Sequence, residues 1–186
     1  MHSGLLKVLL PCKNPYSWPM TMLQLTLIRH AKSSWNNDRI SDYDRPLNQR
    51  GLDDAPLMGR ILKEREIQFD LIVSSPARRA ATTAELLAGE LGYPVENISF
   101  NKSLYGADTN TLLEVVQTLP GNNTRIALVS HNPGLTEFCN YLCNAGIGNM
   151  PTCSAACIGL AIDDWPAVFR GTGTMELYEY PRKHTG

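Results

Sequence analysis

Two histidines and their neighbours carry the first chemical signal in the chain. Of the four His present, His2 and His184 lie near the termini, where chain ends are usually poorly ordered. The other two share one context: an apolar run, one further residue, then His, in Leu27-Ile28-Arg29-His30 and Leu128-Val129-Ser130-His131. A third apolar run ends in Ser74-Ser75-Pro76 and leads directly to Arg78 and Arg79. An imidazole can attack phosphorus or move a proton near neutral pH. Guanidinium forks match phosphate oxygens in pairs, and helix N-termini favour anions. A single His or Arg after a strand is more often structural. Two of each at corresponding junctions read as a phosphate pocket.

The elements that must position these residues follow from periodicity. Leu23 to Ile28 alternates and then turns wholly apolar, which reads as a strand, and Asp70 to Val73 reads as a second short one; Arg125 to Val129 is a continuous apolar run, as expected of a strand covered on both faces. Ala155 to Ile162 and Thr174 to Tyr180 read as two late strands, and Val95 to Ser99 as another. One helix is expected over roughly Asn48 to Glu66, with Pro56 kinking it or marking a later start near Asp54. A second is punctuated by Ser75 as cap, Pro76 at its first position, and Gly92 with Pro94 at its end. Asp108 to Gln117 fits a third helix. A fourth takes Asn132 as cap and Pro133 next, with Leu135, Phe138 and Leu142 on its apolar face. Strands alternating with helices predict a single-domain α/β fold, a mostly parallel sheet flanked by helices. In such sheets ligands bind beyond the carboxyl ends of the strands, where both internal His fall.

Composition narrows the partners. The chain has 186 residues, 43% hydrophobic and 19% charged, enough for one packed domain and inconsistent with disorder throughout. With 17 basic against 18 acidic side chains the net charge is −1, so there is no basic excess to drive nucleic-acid binding. No apolar stretch approaches the roughly 18 residues of a membrane span. Five Cys are too few for a disulfide framework and fit a reducing, cytoplasmic setting. Cys139, Cys143, Cys153 and Cys157 have the x3 spacing of a conceivable metal set, but buried free thiols account for them more simply. Residues 1–22 hold the run Leu5 to Leu10, interrupted by Lys7 and followed by Pro11, Pro15 and Pro19; they read as a loosely attached extension rather than a cleaved signal. The compact domain is expected over 23–186.

The motif Arg29-His30-Ala31-Lys32-Ser33 resembles the signature of the histidine phosphatase (phosphoglycerate mutase-like) superfamily. Five blocks in order, RHAKSSW (29–35), DRPLNQRG (44–51), SSPARRAATTA (74–84), LVSHNPGL (128–135) and TCSAA (152–156), resemble its small SixA-type phosphohistidine phosphatase branch. The resemblance implies a phosphoglycerate mutase-like fold, His30 as nucleophile and Arg29 as the adjacent phosphate ligand. It also implies that Arg79, directly before Ala with Thr three further on, is the second phosphate-binding Arg, and His131 the second pocket His. Asn36 falls at a phosphate-contacting Asn of the mutase-like branch, and Arg45 at the Arg of the RPL block, on the pocket rim. Many members place an acidic proton donor between the second Arg and second His. In this sequence Asp108, in Leu104-Tyr105-Gly106-Ala107-Asp108, is the nearby carboxylate.

The implied chemistry is attack by the neutral His30 imidazole on phosphorus, then hydrolysis of the covalent phosphohistidine. Arg29, Arg79 and a protonated His131 stabilise the charge on the equatorial oxygens, so the reading calls for no metal and no cofactor. The expected partner is a phosphorylated protein bearing phosphohistidine. A small phosphate ester is the alternative substrate, and a non-catalytic phosphoprotein-binding module the alternative class. His30 beside Arg29 argues against a pure binder, which has no use for a nucleophile.

Overall fold

The computed structural model describes residues 23–35 and 39–185, so the proposed extension at 1–22 lies outside the described residues. Among the described residues six strands and four α-helices follow one another, alternating as far as β5: β1 (Leu23–Arg29), α1 (Gln49–Glu64), β2 (Leu71–Ser74), α2 (Arg78–Leu91), β3 (Ser99–Phe100), α3 (Thr109–Gln117), β4 (Arg125–Ser130), α4 (Gly134–Cys143), β5 (Ala155–Leu160) and β6 (Gly173–Glu179). They build one sheet in the order β3-β2-β4-β1-β5-β6. The first four strands in that order are parallel, and β5 runs antiparallel to both β1 and β6.

Alternation along each strand splits the core between the two faces. On β1, Leu23, Leu25 and Leu27 face α3 and α4, while Ile28 faces α1 and α2; Ile126 and Leu128 oppose Ala127 and Val129 on β4 in the same way. The runs that read as continuously apolar are therefore buried on both sides of a three-layer sandwich. The four cysteines do not converge. Cys139 and Cys143 pack on the α3–α4 side, Cys153 and Cys157 on the α1–α2 side, and the sheet separates the pairs.

Local differences from the sequence reading have physical causes. Helix α1 starts at Gln49, its first turn capped by the Asn48 side chain accepting from Gly51 N at 2.9 Å, and it continues through Pro56 rather than starting later. Val95–Asn97 is a 3₁₀ turn, leaving only Ser99–Phe100 for β3. Helix α2 begins at Arg78 with Ala77, which has no side-chain acceptor, at its N-cap; Ser75 stands two residues earlier, where its Oγ accepts from Ala77 N at 3.3 Å and pairs with His131. Asn132 does not cap α4 either. Its amide donates to Asn149 Oδ1 at 2.6 Å and to the Met150 carbonyl, pinning the 149–150 turn beside the end of β4.

Candidate active site

Three adjacent parallel strands, β2, β4 and β1, end side by side, and each is followed at once by a site residue: Ser75, His131 and His30. The register fixes them relative to one another, since Arg29 lies opposite Ser130 and Ser74 opposite Val129. Above these ends opens a cavity of about 470 Å³ whose wall includes Arg29, His30, Arg45, Arg79, Tyr105 and His131. The His30 and His131 rings are 5.0 Å apart.

His30 is held as a neutral nucleophile would need to be. Its Nδ1 lies 2.7 Å from the Ala31 carbonyl oxygen, which can only accept, so Nδ1 carries the hydrogen. Nε2 keeps its lone pair, and the Arg79 Nε–H donates to it at 3.3 Å. Burial, with His131, Arg79 and Arg29 nearby, outweighs the Ala31 hydrogen bond and lowers the pKa to about 3. The next residue is fixed from α2: Thr83 Oγ1 accepts from Ala31 N at 3.0 Å and donates to the Arg79 carbonyl. One threonine thus ties the His30 loop to the turn of helix that carries Arg79.

Arg79 is 5% exposed whereas Arg78 is exposed to solvent, as expected for successive helix positions about 100° apart. Arg29 reaches the Met150 carbonyl through Nη1 at 2.5 Å. His131 Nε2 pairs with Ser75 Oγ at 2.8 Å, leaving Nδ1 as the ring nitrogen without a partner. Burial and the Arg79 guanidinium lower the His131 pKa to about 4. In the ligand-free site the ring is therefore neutral at neutral pH, and a bound anion that offsets the surrounding guanidinium charge favours its protonated form.

Asp108 does not line the cavity. Its carboxylate caps α3, accepting from Thr111 N at 2.8 Å, and that bond holds its pKa below the usual carboxylate range. The Asp-x-x-Thr pattern before an apolar helix could have signalled a cap. Asn36 lies outside the described residues. Arg45 does stand on the rim, stacked 3.5 Å over the Trp35 ring.

Sequence reading missed Asp42. Its carboxylate accepts from Arg79 Nη2 at 3.0 Å and Tyr105 Oη at 2.9 Å and pairs with Arg45 Nη2 at 2.9 Å, while its carbonyl accepts from Arg79 Nη1 at 2.5 Å. Burial raises its pKa, but the Tyr105 hydroxyl and the two guanidinium groups outweigh that and leave it below the ordinary value. Asp42 is therefore a standing carboxylate on the cavity wall. Despite these pairings, buried polar atoms without a protein partner gather here: Arg29 Nε, Arg45 Nε and Nη1, His131 Nδ1 and Asn132 Oδ1. Four of these five belong to cationic or protonatable side chains, which is what a bound oxyanion would satisfy.

Residues 25–99 match the family model described as histidine phosphatase superfamily, branch 1. An uncharacterized chloroplastic protein of Arabidopsis thaliana is 31% identical over 159 residues, 81% of this chain and 72% of that protein. The chain belongs to the histidine phosphatase superfamily. Its fold is that of SixA structures: the protein histidine phosphatase SixA complexed with tungstate superposes with a TM-score of 0.73 at 24% identity, covering 87% of this chain and 99% of that one. A SixA structure from Agrobacterium tumefaciens gives 0.72 at 23%, covering 86% and 98%. Among the described residues no helix is long and apolar enough to cross a membrane.

The histidine shifts set a pH expectation. In NMR titrations the His30 and His131 rings should remain neutral from about pH 8 to about pH 5, and saturating inorganic phosphate should move His131 upward. Both folded-state pKa values lie below the ordinary value near 6.5, so the stability these neutral rings contribute is present above that pH. It is lost as pH falls toward about 3 to 4. Either ring titrating near 6.5 in the phosphate-free protein would contradict the burial argument.

Proposed function

We propose that the chain dephosphorylates protein phosphohistidine through a covalent phosphohistidine on His30, with Arg29, Arg79, His131 and Arg45 as the phosphate-binding groups. The observation that carries the substrate assignment is the state of the cavity carboxylate. Asp42 is held as an anion by Arg79, Arg45 and Tyr105, and Asp108 caps a helix, so neither is a protonated acid aimed at a leaving oxygen. An alkoxide needs such a donor, whereas imidazole leaves readily as a neutral ring. Accessibility supports the same substrate. From Arg79 to His131 the chain is occupied by α2, β3, α3 and β4 with short turns between them, leaving little length there to fold over the cavity. Enzymes of small phosphate esters usually enclose the ligand and use its remote contacts. An open cavity suits a phosphorylated side chain projecting from a protein surface.

Side-by-side kinetics test this reading. The kcat/KM for a phosphohistidine-bearing protein should exceed that for phosphoglycerate by at least about a hundredfold, roughly 2.7 kcal/mol of transition-state stabilisation. Equal or better use of phosphoglycerate would reject the phosphohistidine assignment in favour of a small-ester phosphatase.

A further inference from the structure

Arg79 lies between His30 and Asp42. Its Nε–H points to the nucleophilic nitrogen at 3.3 Å, and its two terminal nitrogens grip the Asp42 carbonyl and carboxylate. A phosphoryl group held by Arg79 beside His30 must expel its leaving group on the side away from His30, because the displacement is in line. His30 meets the Nε side of the guanidinium and Asp42 its two terminal nitrogens, and both line the same cavity. A carboxylate has about four acceptor positions. Three are used, two on Oδ2 by Arg79 and Tyr105 and one on Oδ1 by Arg45. The side chain remains 47% exposed on the cavity wall, and Oδ1 has an accepting position that none of these three groups takes.

We propose that Asp42 is a specificity-determining residue that accepts a hydrogen bond from the protonated imidazole of the departing histidine and disfavours phosphate esters carrying a second anionic group. This rests on the phosphohistidine reading above. In the step itself, the His30 Nε2 lone pair forms the new P–N bond while the substrate's P–N bond breaks. That electron pair returns to the phosphorylated nitrogen of the leaving ring. The ring enters as an imidazolium, with a hydrogen on its other nitrogen, and departs as neutral imidazole still bearing that hydrogen. His30, protonated on Nδ1, becomes the phosphorylated imidazolium, so charge and protons balance. Asp42 acts by favouring the protonated form of the incoming ring, the form with the weaker P–N bond. A phosphoester oxygen offers no such N–H, and the carboxylate of a phosphoglycerate would face a like charge.

The test is the ratio of kcat/KM for a phosphohistidine peptide to that for phosphoglycerate, in the wild type and in Asp42→Asn and Asp42→Glu. Asp42→Asn should lower the ratio at least about tenfold, the usual scale for losing one hydrogen bond to a charged group. Asp42→Glu, which keeps the charge, should hold it within about threefold of wild type. If Asp42 only positions Arg79, both substrates lose together and the ratio stands still in Asp42→Asn, which overturns the inference. Loss of the ratio in Asp42→Glu equal to that in Asp42→Asn also overturns it. A wild-type enzyme that prefers phosphoglycerate defeats the phosphohistidine reading itself. A wild-type preference for phosphohistidine with an unmoved ratio in Asp42→Asn defeats this inference alone.

Discussion

The His30→Ala protein should fold as the wild type does and turn over any phosphorylated substrate at least about 10⁴-fold more slowly, close to 5.5 kcal/mol of lost transition-state stabilisation. The fold should survive because His30 sits one residue past the end of β1, while the packing that holds the strand comes from Leu23, Leu25, Leu27 and Ile28 below it. Truncation removes two ring hydrogen bonds, Nδ1 to the Ala31 carbonyl and Nε2 to Arg79, and the ring contact with His131, but no core side chain. The rate should collapse because the variant lacks the Nε2 atom that takes the phosphoryl group, the nitrogen that Arg79 faces. Arg29, Arg79 and His131 remain, so the variant should still bind inorganic phosphate. Circular dichroism, steady-state kinetics and phosphate binding together separate this outcome from misfolding. Near-normal turnover in the folded variant would sink the assignment.

Arg79→Ala should cost at least about 10³ in kcat/KM, in the range for a guanidinium that stabilises a transferring phosphoryl group. Arg78→Ala should cost less than about threefold, the difference being one of direction along the helix. Arg79 touches His30 and Asp42 from a buried position, whereas Arg78 is exposed and its backbone N–H, which any residue supplies, donates to the Tyr43 carbonyl at 3.0 Å. Arg79→Ala also removes two donors from Asp42, so part of its loss should appear as a displaced Asp42 carboxylate. Arg78→Ala proving the more damaging change would reverse the assignment of the two arginines.

What could be read from the sequence was whatever local pattern encodes. Leu23 to Ile28 and Arg125 to Val129 announce buried strands because most of their positions are apolar on both faces, and the His at each end follows from the sheet-edge rule. The parallel centre was legible in the strand–helix alternation, but the antiparallel course of β5 was not, since direction leaves no trace in an apolar run. Ser75 and Asn132 carry strong capping character; Ser75 Oγ accepts from Ala77 N beside the start of α2 and also pairs with His131, whereas Asn132 serves the 149–150 turn instead. Tertiary hydrogen bonds outweighed local preference at Asn132. Asp108 shows the converse: a carboxylate considered for proton transfer is a plain helix cap. Asp42 was illegible because its role depends on Arg79, Arg45 and Tyr105 meeting it across separate segments, and only folding brings them together. Tyr105, beside that carboxylate and edge-on to His131 at 5.6 Å, was hidden for the same reason.

The covalent step on His30 is the central claim, and trapping the phosphoenzyme tests it most directly. Rapid acid-free quenching after mixing the wild-type protein with a radiolabelled phosphohistidine protein should leave label on the enzyme. That label should be acid-labile and alkali-stable, as a phosphoramidate is, and should map to the peptide containing His30. The His30→Ala protein should retain none. Turnover without any trapped label, or label mapping to His131 or to another residue, would contradict the account.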